Sequence, residues 1–127
     1  MRVFFCILLT ISLCYVHGAR LAGAKYRKLA LIADGRQRPD LVLAACQKGL
    51  AANPYNVSLH GYAAHALMDQ KKYPEALKHL NITLNYYPND LNALFNSAFA
   101  NFYTGNLQKA FEMRDRIKKI KPSYIKQ

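Results

Sequence analysis

Apolar residues in this chain recur at the spacing of helices, not strands. The pattern is clearest in residues 57–90. There, two segments with apolar positions three and four apart flank a polar turn at residues 69–72, and Pro88-Asn89-Asp90 closes the stretch. Leu77, Leu80 and Leu84 predict the buried stripe of the second segment. The same pattern predicts helices over 21–34, 41–52, 57–68, 74–86, 91–103 and 107–120. Gly35, Asn53-Pro54-Tyr55-Asn56 and Gly105-Asn106 punctuate them. Pro74 falls in the first turn of its helix, where a missing N–H does no harm. Gly49 lies inside the second helix and costs about 1 kcal/mol relative to alanine, which predicts a weaker first helix pair.

The pattern repeats. Pro54, Pro88 and Pro122 are spaced by 34, and the same shift carries Ala64 onto Ala98 and Ala76 onto Ala110. A fixed period of this length marks stacked helical repeats. Ala64 and Ala76 are 12 apart, as are Ala98 and Ala110. Each pair is expected to face across one helical hairpin and let the backbones approach to the low end of the usual ~8–10 Å.

On these residues the unit resembles the tetratricopeptide repeat (TPR). The second unit offers His60, Ala63, Ala64, Leu67, Ala76, Leu80 and Pro88. The third offers Leu94, Ser97, Ala98, Asn101, Ala110, Arg114 and Pro122, and the first Tyr26, Leu29, Ala30, Ala33, Val42, Cys46 and Pro54. Val42 stands where that pattern has a small residue, and Asn101 and Arg114 where it has apolar ones. The resemblance implies an all-α fold: a right-handed superhelical array of three TPR-like helix–turn–helix repeats, at about 23–56, 57–90 and 91–124. Terminal repeats need a polar outer face. Arg114, Lys118 and Lys121 lie on one side of the last helix and can supply it. No capping helix is expected after it.

The first residues form a separate object. Arg2 is followed by an apolar run over 3–16, broken only by Thr10 and Ser12. The run is shorter than the ~20 residues of a membrane-spanning helix. Val16-His17-Gly18 then offers a small-residue cleavage site. The pattern is that of a secretory signal peptide over 1–18, cleaved after Gly18, with the TPR domain over 19–127. It implies export to a periplasm or to the extracellular or secretory route, with no stable membrane span in the mature chain. The competing reading is an uncleaved anchor. Cys14 does not make a lipoprotein site, because Leu13 before it is too bulky.

Hydrophobic residues make up 52% of the chain, enough for a packed core. The formal net charge is +11, from 18 basic and 7 acidic residues. The excess lies at the two ends: residues 23–56 carry +4, residues 57–90 are balanced, and residues 91–127 carry +5. Basic ends favour an acidic protein partner or an anionic surface, though a solvated face reads the same way. Nucleic acid is not expected as a partner. Beyond the leader only Cys46 remains, so no disulfide within the mature chain is possible. Its apolar position predicts a small buried hydrophobe. Asn56-Val57-Ser58 and Asn81-Ile82-Thr83 match the glycan-acceptor triplet.

Catalysis has no motif behind it. His60, His65 and His79 form no metal-binding pair, and no nucleophile elbow, phosphate loop or Cys-x-x-Cys occurs. No enzyme activity, metal or cofactor is expected. The remaining feature is aromatic: Phe95, Phe99, Phe102 and Tyr103 share one helical face. The TPR resemblance implies a concave groove lined by the first helix of each repeat, holding an extended peptide or a partner helix. It assigns Leu94, Ala98 and Asn101 to the core and turns the aromatics toward the groove. The expected groove residues are Arg27, His65, Met68, Asn92, Phe95, Phe99 and Phe102, beside Leu31 and Gly61. The competing reading places the phenylalanines in the core. The TPR class that clamps a C-terminal carboxylate needs lysines and asparagines. Arg27 could stand for one of them, but Leu31, Tyr62, Asn92 and Asn96 do not complete the set. The reading is therefore an exported protein-binding adaptor or scaffold, with a self-associating structural subunit of an envelope or secreted assembly as the alternative.

Overall fold

A computed structural model describes residues 2–124, with side chains from Ile7 onward. Six helices follow one another: α1 (Arg2–Gly35), α2 (Pro39–Ala52), α3 (Val57–Asp69), α4 (Tyr73–Tyr86), α5 (Leu91–Tyr103) and α6 (Leu107–Ile120). A single 3₁₀ turn, Pro122–Tyr124, follows. Five of the helices lie within two residues of the expected bounds. The exception is α1, which starts at Arg2 rather than near residue 21. Nothing between the apolar run and residue 34 breaks a helix, since Gly18 and Gly23 each cost only about 1 kcal/mol. The apolar run therefore continues straight into the first helix of the array. The stretch Ile7–Gly35 is long and apolar enough to cross a membrane.

The helices pair as α1–α2, α3–α4 and α5–α6. Along the array α1 touches α3 and α3 touches α5, whereas α2, α4 and α6 do not touch one another. The first helices of the pairs are thus closer than the second helices, so α1, α3 and α5 form the concave face.

The turns repeat with the same period. Within each pair the chain passes through a left-handed residue, Gln37 (φ 54°), Lys71 (φ 58°) and Gly105 (φ 81°). The next N–H then bonds back to the helix: Arg38 to Ala33 at 3.0 Å, Lys72 to Leu67 at 2.8 Å and Asn106 to Asn101 at 2.8 Å. These bonds satisfy carbonyls that a helix end leaves open. The helix ends at Gly35, as the sequence suggests, and Gln37 takes the left-handed position. Between pairs, Asn56 and Asp90 cap α3 and α5 through their side-chain oxygens, at 3.3 Å to Leu59 N and 2.9 Å to Ala93 N. The Asn56 side chain of the first glycan-acceptor triplet thus caps α3 through its Oδ1, while Asn81 is exposed on α4.

Core positions also repeat. Ala30 and Ala64 are fully buried, as are Leu59, Ala76 and Leu94. Ala98, their equivalent on α5, is only half-buried, because no described helix packs beyond α6. At that end Arg114 lies over the Phe111 ring, 4.9 Å from its centroid, and pairs with Asp115 at 2.9 Å. The stacked guanidinium covers a ring that Leu43 and Leu77 match in the earlier pairs, where those leucines pack against the core. Cys46 is 1% exposed, and burial pushes its thiol up to about 11, so it behaves as a buried hydrophobe.

Gly49 has a packing role. A methyl there would sit 2.4 Å from Leu59 Cδ1 and 2.8 Å from Tyr26 Cβ. The leucine tip can swing, but Tyr26 Cβ is fixed to its backbone. Overpacking costs ~1–3 kcal/mol, against about 1 kcal/mol gained in helix propensity. Gly49→Ala is expected to lower stability by about 1 kcal/mol in denaturant titration. A gain in stability would show that α1, α2 and α3 separate freely.

The buried polar residues are paired. Asn101 donates to the Ser97 carbonyl at 2.8 Å, so this departure from an apolar position is satisfied within its own helix. His60 donates from Nε2 to the Pro54 carbonyl at 2.8 Å, which makes its Nδ1 the acceptor for His79 Nδ1 at 2.8 Å. Burial, then the charges of His60 and Lys78, pushes His79 below its ordinary pKa. A histidine whose folded pKa is depressed binds more protons when unfolded. Stability is then present above the unfolded value and declines as pH falls below about 6.5. Thermal melts of His79→Gln are expected to show less acid sensitivity between about pH 7 and 5 than those of the unsubstituted chain.

Candidate functional site

The concave face carries an open groove of about 670 Å³. Gly61 and Ser58 on α3 leave its floor low, because they project little or nothing. Asn92, Phe95 and Asn96 form the α5 wall, and Asp34 and Asp90 sit on its margins. Asp34 lies in the last turn of α1 and accepts a hydrogen bond from His65 Nδ1 at 2.9 Å. The His65 ring is 53% exposed, so the pair faces solvent rather than closing the core. Asp34 and His65 also border a second recess of about 510 Å³ with Asp69 and Arg38. Arg38 is tied to Asp40 at 2.9 Å.

Beside the groove stands an aromatic shelf. Phe95, Phe99 and Phe102 are 42%, 49% and 57% exposed. Leu94, next to Phe95 in sequence, is fully buried. Phe99 meets Tyr103 at 4.5 Å between centroids and Tyr73 edge-on at 6.1 Å, and Tyr73 stacks on Tyr103 at 5.1 Å. Tyr124, from the 3₁₀ turn, meets Phe95 edge-on at 5.7 Å.

Of the residues expected in the groove, His65, Asn92 and Phe95 line it together. Phe99 and Phe102 belong to the adjoining shelf. Arg27 is exposed on α1, outside the lining. Met68 is half-buried against the cluster of Ala64, Leu67, Ala76, Leu80 and Ala93. The two margin carboxylates, Asp34 and Asp90, were not anticipated. A shift of 34 from His65 leads to Leu31, but neighbouring first helices are offset by about a turn, and His65 meets Asp34 instead. Asp90 reads in sequence as a turn residue, and its position as a cap places it at the groove.

No family model matches the chain, and no curated protein matches it. Solved structures do. The first TPR of Spaghetti (RPAP3) bound to HSP90 peptide SRMEEVD superposes with a TM-score of 0.74 at 20% identity, over 80% of this chain and 81% of that one. YrrB, described as a TPR protein with an unusual peptide-binding site, gives 0.70 at 20% identity, over 89% of this chain and 63% of that one. MamA from AMB-1 gives 0.69 at 23% identity, over 75% of this chain and 52% of that one. The fold is that of a TPR domain. In the TPR frame α1, α3 and α5 are the first helices of successive pairs, and the groove and shelf lie on their shared face.

Proposed function

We propose that this chain is an exported TPR adaptor that docks an extended peptide or a partner helix on its concave face. The observation that carries this is the exposed aromatic face of α5, set against a core that closes through Leu94, Ser97 and Asn101 on the opposite side. Three half-exposed phenylalanines on one helix touch a few neighbouring rings but leave much of their surface open, and large exposed apolar patches mark binding surfaces. The peptide bound to the first TPR of Spaghetti supports the same use of this fold. A photo-crosslinking residue placed at Phe99 should label a bound peptide, and one placed at Asn81 on α4 should not. Equal labelling would overturn the concave-face assignment. The alternative, a self-associating subunit, predicts concentration-dependent mass in light scattering; a constant monomer supports the adaptor.

Export rests on the leader. Residues 7–18 are exposed throughout, and the first buried residue is Gly23, so the array packs without them. The mature protein is expected to begin at Ala19, within a residue or two, by N-terminal sequencing of the exported chain. A chain that begins at Met1 would instead keep the apolar half of α1 as an anchor.

A further inference from the structure

The net charge and the groove point in opposite directions. The chain is strongly basic, yet the groove and the adjoining recess hold Asp34, Asp69 and Asp90, and among the described residues Arg38 is their sole lysine or arginine. Arg38 is already paired with Asp40. Asp69 is exposed and has no ion pair among the described residues. Asp90 uses one oxygen to cap α5, and Asp34 uses one to hold His65, which leaves an acceptor oxygen on each. Of the basic residues of the third pair, Arg116 is held by the Pro88 carbonyl and Lys121 lies over the Tyr124 ring, and neither is among the residues that line the groove.

We infer that the groove selects a cationic peptide segment: an extended chain with lysine or arginine set against Asp34, Asp69 and Asp90, and an apolar or aromatic side chain on Phe95. This rests on the proposed docking role of the concave face and specifies its ligand. Charge complementarity decides the occupant. The charges on the ends of the array do not reverse it, because at physiological salt they are screened over ~8 Å, while groove carboxylates act at contact. An acidic tail such as SRMEEVD, bound by the first TPR of Spaghetti, would meet like charges here.

The test uses the full chain and three fluorescent dodecapeptide pools of equal apolar content, bearing lysine, glutamine or glutamate at alternate positions, with SRMEEVD as a fourth probe. Anisotropy should show the lysine pool binding roughly tenfold tighter than the glutamine pool, the scale of two partly exposed ion pairs. The glutamate pool and SRMEEVD should be weakest. The triple variant D34N/D69N/D90N should erase the lysine preference without moving the melting point, since asparagine keeps both the cap and the bond to His65. Phe95→Ala should weaken whichever pool occupies the groove. Equal or tighter binding of the glutamate pool that is lost in Phe95→Ala overturns the polarity and keeps the groove. Binding of any pool that ignores both sets of substitutions, or no binding at all, overturns the groove and the polarity together.

Discussion

Truncating Leu94 to alanine is expected to cost the fold about 2–5 kcal/mol. Leu94 has no exposed surface and is among the largest fully buried side chains of the array. It faces the interior at the position that His60 holds one pair earlier, where two imidazoles and a carbonyl fill the space. Its removal would leave a cavity that α5 can close only by shifting as a whole. The loss should lower the thermal midpoint by roughly 10–20 °C. Phe95, one residue on, is the control. It is 42% exposed and meets only the edge of Tyr124 among the described rings. Phe95→Ala should cost about 1 kcal/mol or less, the scale of one exposed aromatic pair. Equal losses at the two positions would mean that α5 is rotated from the orientation described.

Much of the array was written in its period. Pro54, Pro88 and Pro122 set the register, and once it is set, each helix boundary in one pair predicts those of the next. The left-handed turn shows how far this goes. Gly105 is an obvious candidate for positive φ, and subtraction of 34 leads to Lys71 and Gln37, which composition alone does not suggest. The core was legible for the same reason: Ala64 and Ala76 recur because α3 and α4 pack closely. What the period could not supply was anything that depends on the ends. Ala98 matches Ala64 in sequence but is half-buried, since burial there needs a further helix. The start of α1 was hidden because the apolar run and the first helix of the array obey the same local rules, with no breaker between them. Groove chemistry was least legible. Asp34 and His65 are brought together by the stagger between α1 and α3, a tertiary quantity with no local signature.

Phe99→Ala is expected to weaken binding of a groove peptide by about 2 kcal/mol, near 30-fold, and Phe102→Ala by a similar amount. Both rings present large apolar area from a rigid helix, so little entropy is lost when a partner packs on them. Stability should move much less. Phe99 is half-exposed and leans on Tyr73 and Tyr103, so its loss removes two aromatic contacts worth ~0.5–1.5 kcal/mol each at most. Phe102 touches only Tyr103 among the described rings, at 5.6 Å, and should be closer to neutral for the fold. The two substitutions therefore separate two explanations of the same shelf. If it serves recognition, affinity falls at both positions while the midpoint falls by a few degrees at Phe99 and hardly at Phe102. If it serves the fold, both midpoints collapse by the amount expected of buried phenylalanine, ~3–5 kcal/mol. If affinity holds at both positions with the fold intact, recognition does not use α5, and the basic outer face of α6 becomes the surface to test, because Arg114 already stacks there on an exposed ring.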